Sequence, residues 1–284
     1  MASPQLTPRF TPSARMEELA RDPSHYRLMI PSGRADSYRL AQLDDYNPLA
    51  RRRFPHRFPL RLSLSARTSS SSLPGTWGFG LWNDPFGLSL GFGGKPFRLP
   101  ALPNAVWFFG ASEENYLSFI ETFRPERSGG QSKGASRSGL DTSEKSTRST
   151  RPAGNGFMAQ TFRSPRFHPL LIPAGLALPF SRKMTRRLLS RVIAEDGIEL
   201  SRGDACIAPT DWHRYRLGWS LNRVSFEVDD VQVFESSVSP NPPLGLVIWI
   251  DNQYAAFTPE GKIGFGVLEN PEPAWLEVKD IELS

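Results

Sequence analysis

The chain has 284 residues, of which 39% are hydrophobic, and it carries a formal net charge of +5. Hydrophobic residues and glycine together make up about 47% of the chain, which is typical of globular proteins and excludes a chain that is disordered throughout. Its 26 prolines and 23 glycines leave little uninterrupted sequence for long helices, which excludes a helix bundle or a coiled coil. The longest apolar stretch, 167–180, is interrupted by proline and is too short to cross a bilayer, so we expect no membrane span.

Two segments are predicted to lack stable structure. Residues 1–24 are expected to form a disordered N-terminal tail, and residues 124–155 a disordered basic loop with seven basic and three acidic residues. The loop has too few apolar side chains to offset the entropy of ordering it. Because it carries most of the net charge, we expect no specific nucleic-acid binding. The remaining chain, 25–284, is predicted to be one β-sandwich domain interrupted by this loop.

Short segments rich in aromatic and β-branched residues, separated by Gly, Pro and Asn, are typical of strands in a sandwich. The predicted strands are Tyr38–Tyr46, Phe58–Ala66, Thr76–Trp82, Ala105–Ala111, Phe157–Phe162, Arg214–Ser220, Arg223–Val228, Val231–Ser236, Leu244–Ile250, Lys262–Val267 and Trp275–Ile281. Asp229 and Asp230 are predicted to form the turn of a hairpin, because Asp tolerates turn conformations.

One segment, Ser181 to Glu195, has apolar residues at helical spacing and predicts a short amphipathic helix that ends near Gly197. Its opposite face is basic: Arg182, Lys183, Arg186, Arg187 and Arg191. This face is either a solvated surface or, together with the basic loop, a site for an acidic partner.

The segments 212–219 (WHRYRLGW) and 224–230 (VSFEVDD), with 75–82 (GTWGFGLW) and the final strand, resemble the concanavalin A-like lectins and glucanases, particularly the family 16 glycoside hydrolases. The resemblance implies a jelly-roll sandwich of two antiparallel sheets with a ligand cleft on its concave face. The fold by itself does not decide between lectin and enzyme.

The chain departs from that family at the catalytic strand. Family 16 enzymes carry alternating carboxylates there, which act as nucleophile and general acid. The corresponding segment here places Asn104, Val106 and Phe108 at those positions. An amide or an apolar side chain cannot perform either role, so we expect no glycosidase chemistry of the family 16 type.

Aromatic side chains are abundant on the predicted strands and belong either to the core or to a surface on which a ligand stacks. The strand that ends at Ile250 is followed by three polar residues, which either orient a ligand or satisfy their own turn. The predicted ligand-binding residues are Trp82, Asn104, Trp107, Trp249, Asp251, Asn252 and Gln253.

The leading hypothesis is a protein that binds a small molecule by aromatic stacking. The ligand is either a carbohydrate or another molecule that stacks on aromatic rings, including an apolar one. The rival is an enzyme that uses the same cleft with another residue set, in which Asp84, Asp251 or Glu113 supplies the acid or base. A third interpretation is a scaffold that recruits an acidic partner.

The other chemistry-bearing residues suggest no metal or cofactor. The histidines, at 25, 56, 168 and 213, lack ligand spacing for zinc. Cys206, with Asp211 and His213, could form a thiol nucleophile with its base, but a lone cysteine is more often a small buried side chain. One cysteine and no apolar signal segment indicate a cytoplasmic protein.

Overall fold

The structure, a computed structural model, describes residues 4–20, 24–85, 101–116, 118, 155–165, 189–201, 206–257 and 263–284. These residues contain the strands β1 (Thr7–Phe10), β2 (Arg15–Ala20), β3 (His25–Ile30), β4 (Leu40–Asp44), β5 (Leu60–Thr68), β6 (Thr76–Trp82), β7 (Ala105–Ala111), β8 (Gly156–Arg163), β9 (Ala194–Glu199), β10 (His213–Trp219), β11 (Val224–Val228), β12 (Val231–Ser236), β13 (Gly245–Asp251), β14 (Gln253–Phe257), β15 (Ile263–Val267) and β16 (Ala274–Leu283). A 3₁₀-helix covers Arg51–Arg53, and residues 189–192 form one helical turn.

The strands form two sheets of seven strands each. The first sheet has the order β1-β4-β13-β6-β7-β8-β9, and the second has the order β12-β11-β10-β5-β16-β3-β2. Neighbouring strands are antiparallel in both sheets, and β14 pairs with β15 in a separate hairpin. The predicted all-β sandwich of two antiparallel sheets is therefore confirmed.

The main hydrophobic core lies between the two sheets and follows from alternation along the strands. In β11, for example, Val224, Phe226 and Val228 are buried, whereas the residues between them are half-buried. The first sheet contributes large side chains such as Phe79 and Phe108 to this core. Aromatic rings from the two sheets interlock, because Phe108 and Phe226 meet edge to face with centroids 5.2 Å apart.

Every strand predicted from the sequence overlaps a strand of the structure, and β6, β7 and β12 have the predicted bounds. The hairpin turn at Asp229 and Asp230 is also present, and both residues have positive φ angles of 51° and 66°.

The N-terminus differs from the predicted tail. Within residues 1–24, β1 pairs with β4 at one edge of the first sheet, and β2 pairs with β3 at one edge of the second. Both strands are short and mostly exposed, and their sequences carry no clear alternation of polar and apolar residues. Backbone pairing with a neighbouring strand supplies the stability that their own side chains do not.

The predicted helix also ends earlier than expected. Residues 189–192 are helical, but Ala194–Glu199 pairs with β8 as strand β9, so the helix does not continue to Glu195. The tertiary pairing overrides the local helical periodicity. Residues 181–188 of the predicted helix and residues 124–154 of the predicted loop lie outside the described residues.

A carboxylate on the outer face of the second sheet links three adjacent strands. Glu277 of β16 is only 2% exposed and lies opposite Arg27 of β3 and Arg67 of β5. It accepts hydrogen bonds from Arg27 (3.0 Å) and Arg67 (3.1 Å) and contacts His25 Nε2 at 2.7 Å. Burial by itself would raise the pKa of Glu277, but the hydrogen bonds from Arg27, His25 and Arg67 lower it below its ordinary value of 4.5.

We expect Glu277→Gln to lower the free energy of unfolding at pH 7 by about 2 kcal/mol, less than for a fully buried ion pair because both guanidinium groups are partly exposed. A lowered carboxyl pKa stabilises the fold above pH 4.5, and this contribution is lost as the pH falls through the lowered value. In denaturant titrations from pH 2.5 to 7, the free energy of unfolding should therefore fall less at acid pH in the variant than in the parent. Superimposable curves for the two proteins would contradict this assignment.

Candidate binding site

The outer face of the first sheet, opposite the main core, carries a second hydrophobic cluster. Paired positions form rows across this face: Val247, Gly80, Trp107 and Gln160 in one row, and Trp249, Gly78, Phe109 and Met158 in the next. We call Tyr46, Trp82, Trp107, Phe109 and Trp249 the outer aromatic cluster. Tyr46 follows β4, and the other four members are alternate residues of β6, β7 and β13, whose remaining side chains face the main core.

The rings of the outer aromatic cluster contact one another directly. Trp82 and Trp249 are nearly parallel, with an interplanar angle of 5° and centroids 5.9 Å apart. Trp107 lies 6.0 Å from Trp82 and 5.7 Å from Trp249. Trp107 and Trp249 are only 4% and 6% exposed, whereas Trp82 is half-buried. Of these three indole rings, only that of Trp82 is therefore partly accessible to a ligand.

Glycines allow two of these rings to lie close to the sheet. A Cβ at Gly78 would stand 2.9 Å from the Trp249 ring, and one at Gly245 would stand 2.3 Å from the ring of Tyr46. Any other residue at these positions would displace the ring above it. The glycines thus fix where the aromatic rings rest.

The faces of β7 differ from the sequence-based expectation. Val106 and Phe108 face the main core, so neither lies on the face where the predicted cleft was placed. The outer positions of β7 are instead Ala105, Trp107, Phe109 and Ala111. The prediction assigned Val106 and Phe108 to the cleft because the sequence shows which residues alternate but not which set faces outward. Three further aromatic residues of the strands, Trp77, Phe79 and Trp219, also lie in the main core.

Asn104 lies at the end of the first sheet where β6 ends and β7 begins. We call this end of the strands the Trp82 edge. The Asn104 amide donates to Ser164 O at 2.9 Å, and its Oδ1 accepts from the backbone N–H groups of Ser164 (3.2 Å) and Asn241 (2.8 Å). The Asn241 side chain donates to the same Ser164 carbonyl at 2.9 Å. Asn104, predicted as a ligand contact, therefore holds three chain segments together.

A groove of about 450 Å³ opens beside this network. It lies where β8 ends and β9 begins, and its lining residues are Arg163, Ser164, Pro165, Ser190, Arg191, Val192, Ile193, Ala194 and Asn241. Arg163 and Arg191 are exposed. Ile193 is buried and belongs to the second hydrophobic cluster, which contains the outer aromatic cluster. The groove thus combines cationic and polar groups with an apolar wall.

Buried polar side chains accompany the aromatic rings, although the sequence analysis did not identify them. Trp107 Nε1 donates to Gln160 Oε1 at 3.4 Å, and Gln160 Nε2 donates to Glu195 Oε1 at 3.0 Å. Gln160 is fully buried and Glu195 is 8% exposed. The sequence feature that could have revealed this group is Gln160 itself, a glutamine within the otherwise mostly apolar predicted strand Phe157–Phe162.

A second polar group lies beside Tyr46. Gln42 Nε2 donates to Asp44 Oδ2 at 2.8 Å and to the Tyr46 hydroxyl at 3.3 Å. Burial, followed by the negative charges of Asp84 and Asp44, raises the pKa of Tyr46 well above its ordinary value. Burial also raises the pKa of Asp44 despite hydrogen bonds from Gln42 and the backbone. The negative charges of two carboxyl groups thus favour the protonated form of one buried hydroxyl.

The three polar residues predicted after Ile250 lie at the opposite, Asp251 edge of the first sheet. Asp251 Oδ1 accepts from Thr76 Oγ1 at 2.7 Å, and Oδ2 accepts from Tyr38 OH at 3.1 Å. Burial raises the pKa of Asp251 to about 6 against the effect of these hydrogen bonds. Asn252 bonds only to backbone groups of Ser37, Arg39 and Leu268 in its described contacts. Gln253 begins β14 and is half-buried.

The predicted site residues therefore do not converge on one point. Gly245 pairs with Trp82 and Asp251 pairs with Thr76, so the two edges are six residues apart along β13. At about 3.3 Å per residue this is roughly 20 Å. Trp82, Trp107 and Trp249 are brought together, with Asn104 at the same edge as Trp82, whereas Asp251–Gln253 lie at the other end.

The remaining candidate residues, Glu113, His213 and Cys206, do not form a catalytic or metal-binding group in the described structure. Glu113 is exposed in the turn after β7. His213 contacts Asp229 through Nδ1 at 2.6 Å and the Ala208 carbonyl through Nε2 at 3.1 Å, so neither nitrogen is directed to Cys206. Within the described ranges, no group of three or more His, Cys, Asp or Glu side chains could hold a metal ion. No helix in the described part of the chain is long and apolar enough to cross a membrane.

Comparisons with known proteins give matches in structure only. No protein-family model and no curated protein matches the chain. A Bacteroides ovatus mixed linkage glucan GH16 protein, in complex with its G4G4G3G product, is 8% identical with a TM-score of 0.45 and covers 98% of this chain and 94% of its own. LamAcat from Zobellia galactanivorans is 12% identical, with a TM-score of 0.43 and coverages of 91% and 76%. A legume lectin-like domain from Entamoeba histolytica is 10% identical, with a TM-score of 0.41 and coverages of 96% and 89%. These distant likenesses carry no information about the site.

We expect Trp249→Ala to destabilise the protein by about 3–5 kcal/mol, because it removes a large packed side chain from the outer aromatic cluster. Trp82→Ala, at the half-buried end of the same cluster, is the matched control and should cost less. Denaturant unfolding followed by circular dichroism measures both. A larger loss for Trp82→Ala would reverse the order of burial inferred here.

Asp251→Asn should change how stability depends on pH. A carboxyl with a raised pKa favours folding when it is protonated, so the stability of the parent should decline as the pH rises from about 4 through 6. The amide mimics the protonated acid and should remove a decline on the order of 2 kcal/mol. The measurement is the free energy of unfolding from pH 4.5 to 8. An equally steep decline in the variant would show that another group titrates there.

Proposed function

We propose that the protein is a ligand-binding β-sandwich that recognises a carbohydrate at the Trp82 edge of the first sheet. The observation that carries the proposal is the groove beside the Asn104 network. Its volume of about 450 Å³ suits a small ligand. Ile193 joins its wall to the outer aromatic cluster.

The chemistry of the groove favours a ligand that is both polar and apolar. Arg163, Arg191 and Ser190 offer hydrogen-bond donors, and Pro165 and Val192 offer apolar contact. A sugar presents hydroxyl groups around the rim of its ring and C–H groups on its faces, which matches this mixture. An entirely apolar molecule would remove water from the arginines without replacing those hydrogen bonds.

The half-buried Trp82 supports the stacking part of the proposal. It occupies the end of the cluster where Asn83 Oδ1 accepts from Asn104 N at 3.0 Å, so the indole and the polar network share one edge. Trp107 and Trp249 support its position from beneath rather than contacting the ligand. Asp251–Gln253 lie at the far edge and are assigned no ligand contact.

An enzyme remains the second candidate, because Asp44 and Asp84 both act on the Tyr46 hydroxyl at this end of the sheet. A buried acid with a raised pKa could donate a proton to a bound sugar. Glycosidases of the retaining type, however, need two carboxyl groups about 5 Å apart. Strand β7, which would carry them in the family 16 enzymes, contains neither Asp nor Glu. Binding without hydrolysis is therefore the better-supported function.

The test is calorimetric titration of the parent with neutral gluco-oligosaccharides and, separately, with a medium-chain fatty alcohol. We expect saccharide binding that Arg191→Ala weakens about fivefold or more, which corresponds to one lost charged hydrogen bond. The control is Arg223→Ala, an exposed arginine on the second sheet that pairs with Glu235 at 3.5 Å.

The same samples separate the two candidates. Intact saccharide after overnight incubation, measured by mass spectrometry, supports a binding protein. Release of new reducing ends that Asp44→Asn abolishes would assign the enzyme instead. Binding of the alcohol alone, or of the saccharide with equal affinity to Arg191→Ala, would overturn the proposed site.

A further inference from the structure

The outer face of the second sheet carries alternating cations and indoles, well away from the groove. We call Arg27, Arg67, Lys279, Trp212 and Trp275 the cation–indole row. The Arg67 guanidinium carbon lies 4.8 Å from the centroid of the Trp212 ring and 5.5 Å from that of Trp275. Arg27 lies 5.2 Å from Trp275, and the Lys279 ammonium lies 4.4 Å from Trp212. Each indole thus has two cations against it.

The sheet register brings this row together. Glu277 of β16 is paired with Arg27 on one side and Arg67 on the other, and Lys279 follows two residues later on the same face. Trp275 precedes Glu277 by two residues and shares that face. Trp212 comes immediately before β10, next to Arg67. The five side chains therefore lie on three adjacent strands, β3, β16 and β5, and directly before a fourth, β10.

The row is short of negative charge. Arg27 and Arg67 share the single Glu277 carboxylate, and Arg27 has a further, longer contact with Glu17 at 3.8 Å. Among the described residues, no carboxylate oxygen lies within 4.0 Å of the Lys279 ammonium. The excess of positive charge is thus at the Arg67, Trp212 and Lys279 end of the row. Both indoles are half-buried, so part of each ring is accessible.

We propose that the cation–indole row binds an acidic polysaccharide, with uronate carboxylates at Arg67 and Lys279 and sugar C–H groups against Trp212 and Trp275. A uronate carries its anion directly on the sugar ring, so one unit can meet a cation and the adjacent indole together. In a nucleic acid the phosphate and the base are separated by the ribose, so the anion and the stacking ring do not lie side by side as they do in a uronate. Each cation here lies directly beside an indole, and this short spacing favours the uronate.

The chemistry also predicts the dependence on salt. Electrostatic contacts between exposed groups weaken as the Debye length shortens from about 10 Å at 0.1 M to about 3 Å at 1 M salt. Binding of an acidic saccharide to this row should therefore fall steeply over that range. Binding of a neutral sugar at the groove should change little. The two sites are thus independent, and either proposal can fail without the other.

The experiment is titration of the full chain with a tetragalacturonate and with a neutral tetrasaccharide of glucose, at low and high salt. We expect only the acidic saccharide to show salt-sensitive binding, with a loss of about five- to tenfold in Lys279→Ala, as for one desolvated cation contact. Arg216→Ala is the matched control, because Arg216 lies on the same sheet face but pairs with Glu227 and Asp230. Trp212→Phe, which keeps an aromatic ring, should lose less affinity than Trp212→Ala.

Unfolding curves of each variant establish that it is folded at the titration temperature. Binding of the acidic saccharide that does not weaken at high salt would overturn the proposal. So would unchanged affinity in Lys279→Ala, or an equal loss in Arg216→Ala. Tighter binding of a single-stranded oligothymidylate than of the uronate would assign the row to a nucleic acid instead.

Discussion

The central strands of the first sheet are buried along their whole length, and this constraint governs the rest of the molecule. All seven residues of β7 and all seven of β13 are buried. One face is covered by the second sheet, as in any sandwich, but the other face must be covered too. Residues such as Tyr46, Phe54 and Ile193 pack on that outer face. The result is a third layer over a sheet face that an ordinary sandwich leaves open to solvent.

This third layer encloses most of the outer aromatic cluster. Trp107 and Trp249 are buried beneath it, whereas Trp82, where the layer ends, is half-buried. The groove lies at the same edge, beside the Asn104 network, and supplies the polar groups that the enclosed rings cannot. The carboxyl groups on this face are dispersed for the same reason, since a charge is stable in such a layer only where hydrogen bonds meet it. Asp44 and Asp251 both meet this condition.

The second sheet shows the opposite arrangement, with one face in the core and one toward solvent. Its outer face therefore holds long charged side chains in register, and Glu277 binds the cations of its neighbouring strands. Glutamate neutralises only part of their charge, while Trp212 and Trp275 keep the cations in place by lying against them. The two sites that we propose therefore differ in chemistry: a neutral sugar is proposed at the edge of the first sheet and an acidic sugar on the second.

The sequence by itself determined the sandwich and the bounds of β6, β7 and β12, because apolar runs bounded by Gly, Pro and Asn are local signals. It also singled out the aromatic residues Trp82, Trp107 and Trp249, which the structure brings together on one sheet face, since aromatic residues on strands are visible without partners. It did not determine which face of β7 is outward, because alternation is symmetric until a partner sheet covers one side. It gave no warning that β9 would replace the end of a helix, because pairing with β8 outweighs local periodicity. Only the tertiary structure brought Arg163, Arg191 and Asn241 to one groove, since residues so far apart in the chain meet through strand order alone.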